Sequence, residues 1–299
     1  MPIPFTNLDI FTHIRYLGNA LAVIRPQSPS TLSQTQKLQI AQEFNLSEVV
    51  FLHLPESADS NPKEVVVDIF TTSAEIPFAG HPTIGTTFFV LHYLGMKSVE
   101  ALITKAGRIP ISLDEGGKVA RAEIPHNVHV HEKTYPFRDF DTGEESQCPI
   151  VSIVNGMAFV LVNLPSLEHL ARAVEFKNLN PSSYNTDDLD EGWRNGLCAT
   201  LYYVHVGEDQ GRKRYRTRMF EAEEDSGTGS ASCALACYLT RKEEGKGLKE
   251  MKFRFEQGVV MRRRNDIFVD VKTKEDGQEI EKVVLSGEAV KVMEGTLEI

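Results

Sequence analysis

Apolar and polar positions along this chain fall into short runs broken by glycine-containing turns. Asp9-Ile-Phe-Thr and Ala20-Leu-Ala-Val-Ile read as strands around a Gly18-Asn19 turn. Ser33 to Phe44 reads as a helix: Leu38, Ala41 and Phe44 share a face, and Ser33 with Gln36 forms a capping box. Val49–Leu54 and Val65–Thr71 read as strands. His81–Leu94 then reads as a helix, with Pro82 in its first turn and Gly95 as its stop. Arg108–Leu113 and Val119–Ile124 follow as strands. Periodicity fades over residues 126–148, where His, Pro, Asp, Glu and Thr dominate, and a domain crossover is expected there. The pattern then restarts. Val151–Val154 and Phe159–Val162 are strands, and Ser166–Val174 is a helix. Lys177–Asn195 is a polar surface excursion. Cys198–Val206 and Arg216–Phe220 are strands, a second glycine turn opens a helix ending near Leu239, and Phe253–Phe255, Ile267–Val271 and Lys282–Val292 are closing strands.

The order strand, helix, strands, glycine turn, helix therefore occurs twice, which predicts a duplicated α+β architecture. Residues 1–128 and 129–299 are the expected domains, with the last strand a candidate to cross back to the first. The turns themselves look like two copies of one device: Glu75-Ile-Pro-Phe-Ala-Gly-His-Pro-Thr-Ile-Gly85 and Glu224-Asp-Ser-Gly-Thr-Gly-Ser-Ala-Ser-Cys233. Each leads into a helix almost free of charge, carrying Phe88, Phe89, Val90 and Leu91 in one case and Ala231, Ser232, Ala234, Ala236 and Cys237 in the other. A helix apolar nearly all round is buried on most sides, so each is expected inside a strongly curved, barrel-like sheet. A helix start offers free backbone N–H groups to an anion, so two such starts suggest a ligand held between two similar domains.

Composition narrows the partners. The chain has 299 residues, 41% of them hydrophobic, ample for a packed core. Its formal charge of -10 argues against nucleic acid, which needs surplus Lys and Arg. The run Arg262-Arg-Arg264 fits a solvated edge or turn. No stretch approaches the ~20 apolar residues of a membrane span, and the N-terminus lacks a basic segment before an apolar one, so a cytoplasmic protein with free thiols is expected. Cys233 and Cys237 share a helix face but have no nearby His or second Cys pair, and fit buried small apolar positions.

Several residues carry candidate chemistry. Glu48 stands at the mouth of an apolar strand. Such a carboxylate is ordinarily solvent-facing; half-buried in a cleft, it would take and return a proton near neutrality. By eye, Leu46-Ser-Glu-Val-Val-Phe matches Leu197-Cys-Ala-Thr-Leu-Tyr, so Ala199 stands where Glu48 stands and the duplicate supplies no second base. That favours one-base chemistry on one substrate face. His81 follows Gly80 at the first helix start, either as a polar cap or as a neutral hydrogen-bonding imidazole. Asp225 precedes the second helix, as an Asx-turn residue or as a substrate ligand, and Gly227, Thr228, Gly229 and Ser230 are placed to cradle a carboxylate. Gly227-Thr-Gly229 lacks the third glycine of a dinucleotide fold and the Lys of a P-loop. His126, His129 and His131 offer two ligands at strand spacing with no evident third, so no metal site is expected.

These residues resemble the PhzF-like proteins of phenazine biosynthesis, which share the diaminopimelate epimerase fold. The resemblance runs through Asp9-Ile-Phe-Thr, Gly18-Asn-Ala-Leu-Ala-Val, Glu43-Phe-Asn-Leu-Ser-Glu, Phe70-Thr-Thr, Pro77-Phe-Ala-Gly-His-Pro-Thr, Arg218-Met-Phe, Glu224-Asp-Ser-Gly-Thr-Gly-Ser-Ala and Gln257-Gly. It implies two barrel-like domains each around a central helix, no metal or organic cofactor, and commonly a homodimer. It further implies that Glu48 moves a proton within a small carboxylate such as a dihydro-hydroxyanthranilate, and that His81, Asp225 and Ser230 bind and orient it. The related epimerases carry catalytic cysteines where this chain has Ala79 and Thr228, so thiol-based racemisation is not implied. The chain departs from the family at Ala20, at Ser226-Gly227 and at Val259–Arg264, where only Arg263 keeps the pattern. Ser226 and Gly227 in place of Pro are expected to loosen the second turn.

The expectation is a cofactor-independent isomerase of a small carboxylate metabolite, with Glu48, His81 and Asp225 catalytic and Gly80, Thr228, Gly229 and Ser230 binding. The alternatives are a non-catalytic small-molecule-binding or scaffold protein on the same fold, and a cysteine-free epimerase.

Overall fold

A computed structural model describes residues 2–28, 31–55, 61–139, 141–175, 184–221, 223–243, 250–275 and 279–299. It forms two compact units, residues 1–124 with 284–299, and residues 125–283.

In the first unit, β1 (Ile3–Ile10) runs antiparallel to β2 (Asn19–Ile24). Gly18 is obligatory in their connection: it sits at φ +73°, and a Cβ there would come within 2.2 Å of the Ile10 carbonyl oxygen. Asp9, buried, holds the same connection by accepting the Tyr16 amide at 2.6 Å. The helix α1 (Gln34–Phe44) starts at Ser33, with both halves of the expected capping box formed, and ends at Asn45 in the left-handed region. It crosses over to β3 (Val49–His53), parallel to β2; β4 (Glu64–Phe70) returns antiparallel. The two-residue strand β5 (Glu75–Ile76) leads to α2 (Gly80–Phe88), which passes into a π-helical turn over Phe89–Tyr93. Then β6 (Ala101–Thr104) pairs parallel to β4 and is followed by β7 (Gly107–Leu113) and β8 (Val119–Glu123), each antiparallel to its predecessor. The chain's last strand pairs with β8 through Val284–Glu288 and with β1 through Ala289–Leu297, which closes the ring into a barrel. Every residue of α2 is buried inside it, against β1, β2, β3, β7 and β8.

The second unit repeats the plan. Residues 126–148, where apolar periodicity fades and the domain crossover is expected, hold β9 (His129–Arg138) and the start of β10 (Glu145–Val154). The hydrophobic signal fails there because β9 is mostly exposed and its outward side chains are polar. After β11 (Met157–Asn163), the short helix α3 (Leu167–Ala171) and β12 (Leu197–Asp209), the strand β13 (Arg212–Phe220) and the two-residue β14 (Glu224–Asp225) lead to α4 (Gly229–Lys242). β15 (Glu250–Gln257), β16 (Asn265–Thr273) and β17 (Ile280–Leu297) complete the chain. β10 and β11 are antiparallel, β11 and β12 parallel, β12 and β13 antiparallel, β13 and β15 parallel, and β15 and β16 antiparallel. This is the pairing sequence of β1, β2, β3, β4, β6 and β7. Residues 229–237 of α4 are buried, packed on β10, β11, β15 and β16. Within Lys177–Asn195, residues 177–183 lie outside the described residues; the described remainder docks on β9 through Asp188, Asp190 and Trp193. No described helix is long and apolar enough to cross a membrane.

Candidate active site

In the first unit the left-handed Asn45 ends α1 and turns the chain, so that Glu48 stands one residue before β3. Its side chain is 17% exposed, and its Oε2 lies 3.5 Å from Nδ1 of His81. His81 occupies the first turn of α2 and is itself buried. The same Nδ1 is 3.5 Å from Nδ2 of Asn19, the first residue of β2. Because β2 and β3 are parallel neighbours, their starts bring Asn19 and Glu48 to one edge of the barrel, where α2 also begins. The other ring nitrogen of His81, Nε2, is buried and makes no hydrogen bond. Such an atom calls for a partner, and a substrate group or an ordered water would supply one. Both His81 contacts are long for hydrogen bonds, as acid–base contacts often are before substrate binds.

The start of α2 is open to an anion. Its N-cap, Ala79, has an extended backbone and no side chain that can cap, so the Gly80 and His81 amides project with the positive end of the helix. The start of α4 is equally uncapped, with Thr228 as N-cap and Gly229 and Ser230 as the first helical residues. Glu75 is anchored by Lys105 at 2.6 Å, and its counterpart Glu224 by a two-pronged pair with buried Arg218 at 2.7 and 2.8 Å. These glutamates hold the turns.

The second turn is stiffer than its composition implies. Asp225 accepts from the Gly227 amide at 3.3 Å and from the Thr228 hydroxyl at 2.5 Å. Gln257 at the end of β15 accepts the Thr228 amide at 3.1 Å and donates to the Asp225 carbonyl at 2.9 Å. Asn265 at the start of β16 donates to the carbonyls of Ser226 and Arg263. Gly227 is forced by this contact, since a Cβ would lie 2.4 Å from Asn265 Oδ1. The expected loosening by Ser226 and Gly227 is therefore offset by side chains from two strands. Asn19 and Gln257 lie in the Gly18-Asn-Ala-Leu-Ala-Val and Gln257-Gly segments with no chemical signature of their own, and nothing local marks Asn265. The Arg262–Arg264 run is the β15–β16 turn, with Arg262 exposed and Arg264 paired to Glu256 and Asp266.

Strand register tests the duplication residue by residue. Val49 pairs with Phe70 and Phe70 with Glu75; Thr200 pairs with Phe220 and Phe220 with Glu224. Glu48 thus corresponds to Ala199, Ala79 to Thr228 and His81 to Ser230. Ala199 is fully buried, so the second unit places no base at this point. Thiols offer no substitute. Burial pushes Cys148, Cys198 and Cys237 up to about 12, and raises Cys233 well above its ordinary value.

His129 and His131 have a third partner after all. Asp190 accepts from or faces both rings, with His129 Nε2 at 2.7 Å and His131 Nδ1 at 3.7 Å. The sequence hid it because Asp190 lies far along the chain and reaches β9 only through tertiary packing.

A family model described as "Phenazine biosynthesis-like protein" matches residues 8–295. An uncharacterized isomerase of Pasteurella multocida is 28% identical over 99% of this chain and 94% of its own length. The trans-2,3-dihydro-3-hydroxyanthranilate isomerase of Pseudomonas chlororaphis is 28% identical over 97% of each chain. The crystal structure of the Bacillus anthracis phenazine biosynthesis protein of the PhzF family superposes over all of both chains, with a TM-score of 0.72 at 21% identity.

Proposed function

The chain belongs to the phenazine biosynthesis-like family and is an isomerase on the diaminopimelate epimerase-like fold; from that premise we propose that Glu48 is its acid/base and a small carboxylate its substrate. Glu48 takes a proton from one carbon of the substrate and returns it to another carbon of the same molecule. Atoms balance, the carboxylate is regenerated, and no cofactor enters the cycle. His81 orients Glu48 and presents Nε2 to a polar substrate group. The amides at the start of α2, with Gly80, bind the substrate carboxylate in the first unit, and the amides of Gly229 and Ser230 form the corresponding anion-binding turn of the second. Asp225 and Thr228 set the geometry of that second turn.

The single observation that carries this reading is the half-buried Glu48 beside a buried His81 with an unpaired Nε2, at an uncapped helix start. The unequal duplication supports one base over two, because Ala199 occupies the corresponding position. Trans-2,3-dihydro-3-hydroxyanthranilate, the compound in the name of the Pseudomonas relative, is the first substrate to assay. Turnover in deuterium oxide should place deuterium on the product carbon to the extent that the carboxyl proton of Glu48 exchanges with solvent before it is delivered. Glu48→Gln should lower kcat by about 10²–10⁴-fold, the usual contribution of a positioned acid/base. Unchanged turnover and deuterium incorporation in Glu48→Gln would remove Glu48 from the mechanism.

A further inference from the structure

We propose that His129, His131 and Asp190, all within the second unit, form a binding site for a late first-row divalent cation such as Zn²⁺, with water completing its coordination. His129 and His131 are alternate residues of β9, so both rings project from one face of the strand. The described segment 184–193 packs on that face and presents the Asp190 carboxylate to them. One ligand atom from each of the three residues lies within 4.8 Å of the other two. An ion bound tetrahedrally at about 2.0–2.1 Å from each donor separates those donors by about 3.3 Å. The distances from the Asp190 oxygen, 2.7 Å to His129 and 3.7 Å to His131, bracket that value, so side-chain rotations alone open the site. Two imidazoles and one carboxylate suit Zn²⁺ and its neighbours better than Ca²⁺ or Mg²⁺, which prefer all-oxygen shells.

The surroundings are organised as metal sites usually are. His131 is fully buried, and its Nε2 meets the Ser152 hydroxyl at 2.8 Å. Its Nδ1 accepts the Asp190 amide at 3.1 Å, so the proton sits on Nε2 toward Ser152 and the Nδ1 lone pair lies on the Asp190 side of the ring. An outer-shell hydrogen bond of this kind fixes the tautomer and aims the donor atom. His129 is held by stacking on Trp193, at 4.6 Å and an interplanar angle of 10°. Trp193 and Asp190 belong to one turn, closed by the Trp193 amide donating to the Asp190 carbonyl at 3.0 Å. An ion here takes over the lone pair of His131 from the Asp190 amide and bridges β9 to the segment that docks on it.

Trp193 is the chain's only tryptophan, and it lies against one proposed ligand, so its fluorescence reports the site directly. Titrating the intact protein with Co²⁺ should quench Trp193 saturably at one equivalent, and Zn²⁺ should displace the Co²⁺ and restore the signal. His129→Ala, at a part-exposed position, should weaken binding at least tenfold, and Ser152→Ala by about 10–100-fold. Lys133→Ala, on the same strand but outside the cluster, should bind as the parent does. No saturable response in the parent protein at millimolar metal, or an equal midpoint in parent and His129→Ala, would overturn the site. Proton exchange at Glu48 is unaffected by either result, so the two readings fail separately.

Discussion

Asp68 is the place where charge and stability are tied most tightly in the first unit. Its carboxylate, on β4, accepts from Lys37 of α1 at 2.5 Å and from His53 of β3 at 2.7 Å. Lys37 and His53 are almost wholly buried, at 7% and 4% side-chain exposure, and Asp68 is 19% exposed. Burial by itself raises the Asp68 carboxyl; the His53 and Lys37 hydrogen bonds, and the charges behind them, outweigh it and hold the group at about 2 against an ordinary 3.8. The folded value is depressed, so the linked stability is complete above the unfolded value and lost as pH falls through the folded one. The difference corresponds to about 2 kcal/mol at pH 7 and about half of that at pH 3. Asp68→Asn should cost more, about 3–5 kcal/mol at pH 7, because it strands a buried Lys37 ammonium. Urea unfolding of parent and variant at pH 7 and pH 3 separates the effects. The gap between them should narrow at pH 3, where the parent's own carboxylate begins to protonate. A gap that stays constant, or a variant as stable as the parent at pH 7, would refute the ion-pair reasoning.

Other consequences are equally direct. Asn265→Ala leaves the Ser226 and Arg263 carbonyls without their donor and should cost about 1–3 kcal/mol by thermal or urea unfolding. Gly227→Ala should destabilise by placing a methyl against Asn265, and the double variant should cost less than the sum of the two by about 0.5–3 kcal/mol; strict additivity would contradict the contact. The thiols held near 12 carry roughly one part in ten thousand thiolate at pH 8, so Ellman's reagent should label the native protein far more slowly than the urea-unfolded chain. Rapid stoichiometric labelling of the native state would show that a thiol is poised for chemistry.

What the sequence determined by itself was local. The Ser33–Gln36 capping box, the Gly18 turn, the two glycine turns and their apolar helices are fixed by residues within a few positions of each other, because caps, turns and periodicity are short-range effects. The correspondence of Glu48 with Ala199 was also legible, since duplicated strands keep duplicated patterns. Tertiary structure decided the rest. The sequence offered the last strand as a candidate to cross back, but its partners β1 and β8 lie far from it in sequence, and which strands it meets leaves no periodic trace. The mostly exposed β9 carried too little apolar alternation to be seen as a strand. Asn265 bracing the second turn, Asp68 gathering Lys37 and His53, and Asp190 meeting His129 and His131 all depend on side chains delivered from distant strands. Hydrogen bonding and desolvation act over a few ångströms of space, and only the fold sets which residues share that space.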